Sequence, residues 1–407
     1  MSSILKRQSE GEENRISAAG SGRAGVRGRV VVAMSGGVDS SVAAAILAED
    51  GWDAIGVGMQ LWDYSEARES FDSCCSPLDV MDARSVAAKL GIPYYLQNYQ
   101  DSFREEVVDV FVREYRSGRT PSPCVLCNQR FKFSHLLRRA EEMGAEKVAT
   151  GHYARVLRRP DEGRWALYRG RDRAKDQSYF LFSLDQAQLA AALFPVGELT
   201  KEEVRERARG LGLKTADKPE SQDICFVSGE TYPEFIQRRT GEDFAPGEIV
   251  DTGGKVLGEH GGFPRYTVGQ RKGLGISAPR PYYVLQVDAP NNRLVVGHEE
   301  ELGRSEFTVS ETNWIIHLPV DAEREGVPAD VRIRHRHDPR PARIFPLPEG
   351  RARVVFDDPE RGVAPGQAAV FYREDEVLGG GVDRIGPRRR PAIVLRVQSA
   401  LVSLECG

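Results

Sequence analysis

Residues 30–48 read VVVAMSGGVDSSVAAAILA, and this stretch limits the possible folds more than any other part of the chain. A β-branched apolar run breaks into Ser35-Gly36-Gly37-Val38-Asp39-Ser40 and passes into an alanine-rich helix former. That order reads strand, glycine turn, helix. Glycines in the turn let backbone N–H groups approach an anion without interference from Cβ. The Ser and Asp residues are expected to cap the helix, whose positive dipole end faces the same point. The product is a phosphate cradle. It is not a Gly-Lys-Ser/Thr phosphate loop, and it is not the G-x-G-x-x-G dinucleotide turn. A plain turn before a core helix is the alternative, and the strand and helix that flank it argue against that.

At 407 residues the chain is long enough for two or three domains with ample core. Charged residues make up 29% and the formal charge is −4, so any nucleic-acid surface has to be a local patch. No apolar run approaches the length of a membrane span. Residues 1–28 are polar and Gly/Ser-rich, with Glu10, Glu12 and Glu13 arguing against a transit peptide, and read as a disordered tail. A cytoplasmic protein with no membrane partner is expected.

From Arg29 to about Gly151 buried strands alternate with helices. Strands are expected at 30–34, 54–59, 93–96 and 147–150, and helices at 40–50, 78–90, 101–116 and 132–143. Repeated β–α units imply an α/β fold with a doubly wound parallel sheet, which binds ligands beyond the carboxyl ends of its strands. The cradle, Met59 and Gly151 all fall at such ends. Residues 185–213 read as a helical insertion within a catalytic unit spanning 29–230. A small mixed domain is expected at 231–302 and a C-terminal β-barrel at 303–384, followed by a tail from 385 to 407. In Val331-Arg332-Ile333-Arg334-His335-Arg336, period-two alternation would put three arginines on one strand face, suited to phosphates. A charged edge strand that resists aggregation is the competing reading.

Six cysteines in such a chain do not suggest a structural disulfide framework. Cys124 and Cys127 form a C-x-x-C just before a predicted helix, where a thiol loses a proton more readily. Cys225 lies far along the chain. Half a zinc site, an inert buried pair, and a redox pair completed across a site by Cys225 all remain open on spacing alone. Cys74 and Cys75 are adjacent and chelate poorly, so they read as loop residues. His152 is as compatible with packing as with function.

Several motifs together resemble one family. They are SGGVDSSV from Ser35, Cys74-Cys75-Ser76, TPSPCVLCN at 120–128, GHYAR at 151–155, KDQSYFL at 175–181, SQDICF at 221–226 and GFPRYTVGQRKGLGI at 262–276. SGGVDS by itself marks the PP-loop ATP pyrophosphatases. The full ordered set resembles the bacterial tRNA-specific 2-thiouridylases. That resemblance implies ATP-dependent adenylation of C2 of wobble uridine 34, with magnesium accompanying the nucleotide, followed by sulfur transfer from a cysteine persulfide.

The same resemblance implies the site residues. Cys225 carries the persulfide, and Cys127 is the second catalytic thiol, forming a disulfide with it. ATP falls on Ala33, Met34, Ser35, Gly36, Gly37, Val38, Asp39, Ser40, Met59 and Gly151. The target base falls on Ser122, Pro123 and Cys124. Lys175, Asp176, Gln177, Arg334 and His335 would meet tRNA. Where Cys124 stands, some relatives carry Asp, so a set of Cys124, Cys127 and Cys225 holding a [4Fe–4S] cluster is the alternative to the persulfide. Lysine, glutamate and glutamine tRNAs are the implied acceptors, and a cysteine desulfurase or sulfur-relay protein the implied donor. Another PP-loop ligase, a lysidine-type tRNA synthetase, and a non-catalytic iron–sulfur RNA regulator are the competing functions.

Overall fold

The computed structural model describes residues 27–62, 77–219, 224–227 and 229–383. Residues 1–26, Cys74, Cys75, Cys406 and the expected C-terminal tail lie outside them. Strand β1 (Arg29–Ala33) is followed by helix α1 (Val38–Glu49) and strand β2 (Asp53–Gln60). Val30, Val31 and Val32 have no exposed surface, as a central parallel strand covered on both faces requires. Helix α1 buries eight of its twelve residues, so it is an interior helix rather than an amphipathic one.

Helix α2 (Pro77–Leu90) and strand β3 (Tyr94–Asn98) follow. Helix α3 (Gln100–Phe103) widens over Arg104–Val108 and continues as α4 (Asp109–Arg116). A second composite helix starts as α5 (Pro123–Leu126), widens to i→i+5 geometry over Cys127–His135 and ends as α6 (Leu136–Glu142). Strand β4 (Lys147–Ala149) then enters the sheet on the far side of β1. The crossover switches sides between β1 and β4, and a crevice opens beyond their C-terminal ends.

The hairpin β5 (Ala154–Arg159) and β6 (Arg164–Arg169) leaves this sheet altogether. After it come helix α7 (Gln186–Ala191), the two-residue strand β7 (Ala192–Leu193) and helix α8 (Lys201–Gly210). The stretch 185–213 is therefore not an insertion. Strand β7 pairs with β4 and completes a parallel sheet in the order β3-β2-β1-β4-β7, and Val204 and Ala208 of α8 pack in the core beside α1. A two-residue strand leaves no periodic signal in a sequence.

Helix α9 (Tyr232–Thr240) leads to a small mixed sheet of β8 (Gly247–Val250), β9 (Val256–His260), β10 (Tyr283–Asp288) and β11 (Arg293–Gly297). The last unit has β12 (Gly303–Trp314), a one-turn helix α10 (Ala322–Glu325), β13 (Val327–Arg332), β14 (Arg340–Leu347), β15 (Arg351–Arg361), β16 (Ala368–Arg373) and β17 (Glu376–Asp383). These six strands close when β12 pairs with both β15 and β17. Strand β6 then adds to β17 through Tyr168 and Leu167, so the barrel borrows a hairpin from the first unit.

The arginine-bearing strand expected over 331–336 ends at Arg332, and the chain turns there. Arg332 points inward to Asp176, while Arg340 and Arg353 pair with Glu360 and Glu306. Glu306 comes from β12, 47 residues before Arg353, so local composition does not reveal that pair.

Candidate active site

The turn after β1 is shaped by one glycine above the others. Gly36 has φ of +78°, and a Cβ there would stand 2.2 Å from the carbonyl oxygen of Asp79 at the start of α2. Gly37 is the N-cap of α1 with ordinary extended geometry, and its missing side chain leaves space rather than relieving a clash. The expected side-chain cap is not made. Ser40 and Ser41 donate their hydroxyls back to the carbonyl of Gly37, at 3.1 and 2.8 Å, and Asp39 is turned elsewhere. The first-turn N–H groups of α1 thus receive no capping side chain and point outward with the positive helix end. Gly151 closes the cradle from the β4 side, where a Cβ would come within 2.6 Å of the Ser40 nitrogen.

Asp39 accepts from Tyr153 Oη at 2.7 Å and from Lys201 Nζ at 2.8 Å on both oxygens. Lys218 donates to Asp79 at 2.6 Å, to Asp82 at 2.5 Å and to the carbonyl of Gly36 at 3.2 Å. Burial works against the Lys218 charge, yet its hydrogen bonds to the two carboxylates and their charges outweigh it and hold its pKa above the usual value. Neither lysine stood out in the sequence. Lys201 occupies the first position of a helix otherwise capped by Thr200 and Glu203, the end where a cation is electrostatically disfavoured, and that misplacement is the signal.

These groups line a cavity of about 390 Å³ at the crevice between β1 and β4. Of the residues expected to hold nucleotide, Ala33, Met34, Ser35, Gly37, Val38, Asp39, Ser40, Met59 and Gly151 face it, and Gly36 supports it from behind. Pro123, Cys124 and Cys127 line the same cavity, and Cys225 joins them across a separation of almost a hundred residues. The C-x-x-C opens the composite helix rather than preceding it, with Ser122 as N-cap, Pro123 at the first position, Cys124 in the first turn and Cys127 at the start of the second. A thiol in the first turn gains from the helix dipole. Cys124 is exposed, and Cys127 and Cys225 are half-buried. Among the described residues, no three His, Cys, Asp or Glu side chains come together as a metal-binding group.

Lys175 and Gln177 face the cavity, while Asp176 between them is turned the opposite way. Asp176 is buried, accepts from the backbone of Gly170 and Ser178, and pairs with Arg332 of the barrel at 3.3 Å. Its place is in the seam between the units. Arg334 is exposed, and His335 lies against the Phe180 ring at 4.5 Å between centroids. Burial lowers the pKa of His335. His152 is buried at the cavity wall, where Thr150 Oγ1 lies 2.7 Å from Nδ1. Burial first, and the nearby Lys132 charge second, hold its pKa well below the ordinary histidine range, so it is neutral.

Three family models match in order. They are the tRNA methyl transferase HUP domain over residues 28–229, the tRNA methyl transferase PRC-barrel domain over 233–298, and the aminomethyltransferase beta-barrel domain over 304–382. A tRNA-specific 2-thiouridylase of Geotalea uraniireducens is 53% identical, covering 87% of this chain and 94% of its own. The namesake of Geobacter metallireducens is 52% identical, with coverage of 87% and 96%. That of Carboxydothermus hydrogenoformans is 48% identical, with coverage of 87% and 97%. This chain belongs to the tRNA-specific 2-thiouridylase family. The three matched stretches of this 2-thiouridylase relative coincide with the three sheets, apart from the β5–β6 hairpin that the first unit lends to the barrel. No helix among the described residues is long and apolar enough to cross a membrane.

Proposed function

We propose that this chain is an ATP-dependent tRNA sulfurtransferase that converts wobble uridine 34 to 2-thiouridine. The observation that carries the reading is one cavity whose lining contains both a phosphate cradle and three thiols. Magnesium enters with the nucleotide as part of the substrate. Uridine O2 attacks the α-phosphorus of ATP, and pyrophosphate leaves along the α1 N-terminus, where Lys201 and Lys218 supply positive charge. Adenylation turns a carbonyl oxygen, a poor leaving group, into one that departs as AMP.

Sulfur arrives as a persulfide on Cys225. Its terminal sulfur bonds to C2, and the Cys127 thiolate attacks Cys225 Sγ. The S–S bond breaks with its electron pair going to the sulfur on C2, a Cys127–Cys225 disulfide forms, and AMP departs to leave C2=S. The transferred sulfur gains the two electrons that the cysteines lose, and an external thiol reductant resets the pair. A [4Fe–4S] cluster on Cys124, Cys127 and Cys225 is the competing route, and iron and acid-labile sulfide assays on protein purified without oxygen decide between the two. A protein persulfide from a cysteine desulfurase or relay protein is the donor this chemistry calls for. Lysine, glutamate and glutamine tRNAs are the proposed acceptors. Lys175, Gln177, Arg334 and His335 are proposed to meet the tRNA, and Ser122, Pro123 and Cys124 the flipped base.

The family-model descriptions speak of methyl transfer, but a phosphate cradle that shares a cavity with thiols fits adenylation better. Incubation with MgATP, a persulfide donor and unmodified tRNA, followed by nucleoside mass analysis, tests the reading. Thiolation should be lost in Cys225→Ser and Cys127→Ser while pyrophosphate release survives. Thiolation persisting in both variants, or a methylated product with a methyl donor, would remove it.

A further inference from the structure

Lys132 sits between Phe131 and Phe133, both with no exposed surface, on the helix that begins with the cysteines. A half-buried lysine on a helix with buried neighbours is costly unless its ammonium reaches a polar site. Lys132 lines the cavity together with Cys124, Cys127 and His152. In regular α geometry Lys132 would stand roughly 140° around the axis from Cys127, five residues away at 3.6 per turn. The helix does not keep that geometry. From Cys127 to His135 it is widened to i→i+5 bonding, which turns residue 132 towards the side of residue 127. Ser134 marks the same widening, donating its hydroxyl to the Gln129 carbonyl five residues back at 2.8 Å. The wide turns bring one lysine and one thiol towards the same side.

Four lysines line the cavity, and Lys175 comes from the loop after the β5–β6 hairpin rather than from the cradle or the thiol-bearing helix. Lys201 and Lys218 are held by Asp39 and Asp79 beside the cradle, where the β- and γ-phosphates would lie. Lys132 is on the thiol-bearing helix, and its charge is felt by His152, which follows Gly151 at the edge of the cradle. The group that must lie between the cradle and the thiols is the α-phosphate of the adenylated base. We propose that Lys132 is a catalytic residue of the second half-reaction: its ammonium contacts that α-phosphate and stabilises the charge that grows on it as AMP leaves and sulfur takes its place on C2. Neutral His152 beside it adds no competing charge. This rests on the adenylation reading above.

The test is a single-turnover reaction of persulfide-loaded enzyme with MgATP and unmodified tRNA, in which pyrophosphate, AMP and 2-thiouridine are timed separately. In Lys132→Met, AMP and 2-thiouridine should slow by about 100-fold, the usual effect of removing one preorganised charge-stabilising donor, and pyrophosphate release by at least about tenfold less than that. Lys132→Arg should recover at least about tenfold of the loss, because a guanidinium keeps the charge. Retained pyrophosphate release also certifies that the variant is folded. An equal fall in all three products would place Lys132 in nucleotide binding or folding and overturn the proposal, as would no fall at all. If wild type releases no pyrophosphate with this tRNA, the adenylation reading itself fails, and that outcome is separate from any effect of the substitution.

Discussion

Replacing the two glycines of the cradle, one at a time, should separate architecture from ligand binding. At Gly36 an alanine meets two penalties. A positive φ costs a residue with a Cβ about 1–2 kcal/mol, and the new carbon would stand 2.2 Å from the Asp79 carbonyl oxygen. Ordinary contact needs more than an ångström of additional room, so the first turn of α2 must retreat, taking Asp79 away from Lys218. A total loss of about 3 kcal/mol is expected, or a melting temperature lower by about 6–12 °C for a unit of this size. At Gly37 the nearest atom to a new Cβ is Ser35 Oγ at 3.6 Å, and the backbone is in a region any residue adopts. Gly37→Ala should therefore cost less than about 1 kcal/mol, the difference between glycine and alanine at an N-cap. Its methyl, however, projects into the cavity. Thermal melting and pyrophosphate release measured together decide the matter. Gly36→Ala should lower both, and Gly37→Ala should lower release at nearly unchanged melting temperature. Equal destabilisation by the two, or a neutral Gly36→Ala, would refute the reasoning.

Lys201→Met should reduce stability by only about 1–2 kcal/mol, since Asp39 is about a third exposed and its unpaired charge is partly solvated. Pyrophosphate release should fall much further, by about 100-fold, and a loss no larger than the stability change would remove Lys201 from the nucleotide site. Arg332→Met leaves Asp176 buried without its cation, and urea unfolding should show a loss of about 3–5 kcal/mol, most of it recovered in the double variant with Asp176→Asn. A loss in the single variant that the second change does not relieve would show that the pair is not the cause. Four histidines, His152, His260, His335 and His337, have lowered pKa values, with burial the main cause in each. The unfolded chain then binds more protons below about pH 6.5, so stability should fall as the pH drops through that value, by up to about 1.4 kcal/mol per pH unit for each histidine. In His152→Gln the slope should flatten by one proton, and an unchanged slope would show that His152 titrates normally.

The central strands and the helix after the cradle were legible because each signal is local. Val30 to Val32 are buried on both faces, and alanines follow them. The cavity's outline was legible for the same reason, since its nucleotide wall comes from short turns at strand ends. What escaped was made by distance. Asp176 looked like a surface residue until Arg332, more than 150 positions later, was found against it. Arg353 of the barrel meets Glu306 only through the pairing of β12 with β15. Lys132 and Lys201 did carry local marks, a charge between two phenylalanines and a cation at a helix start, but these are marks of cost, not of pattern. Cost becomes readable only when the compensating site is known.

The hairpin lent to the barrel has a consequence for how the chain is made. Tyr168 pairs with Glu376, so an edge of β6 stays open until about two hundred further residues have been synthesised. At the usual pace of translation that is roughly 10–40 s. During that wait the nascent chain exposes a strand edge next to a first unit that is otherwise complete, a template for pairing with another chain. The ribosome's product is thus vulnerable at one place and for one interval. Sequence changes that slow synthesis of the C-terminal third should raise aggregation without touching the stability of the finished molecule.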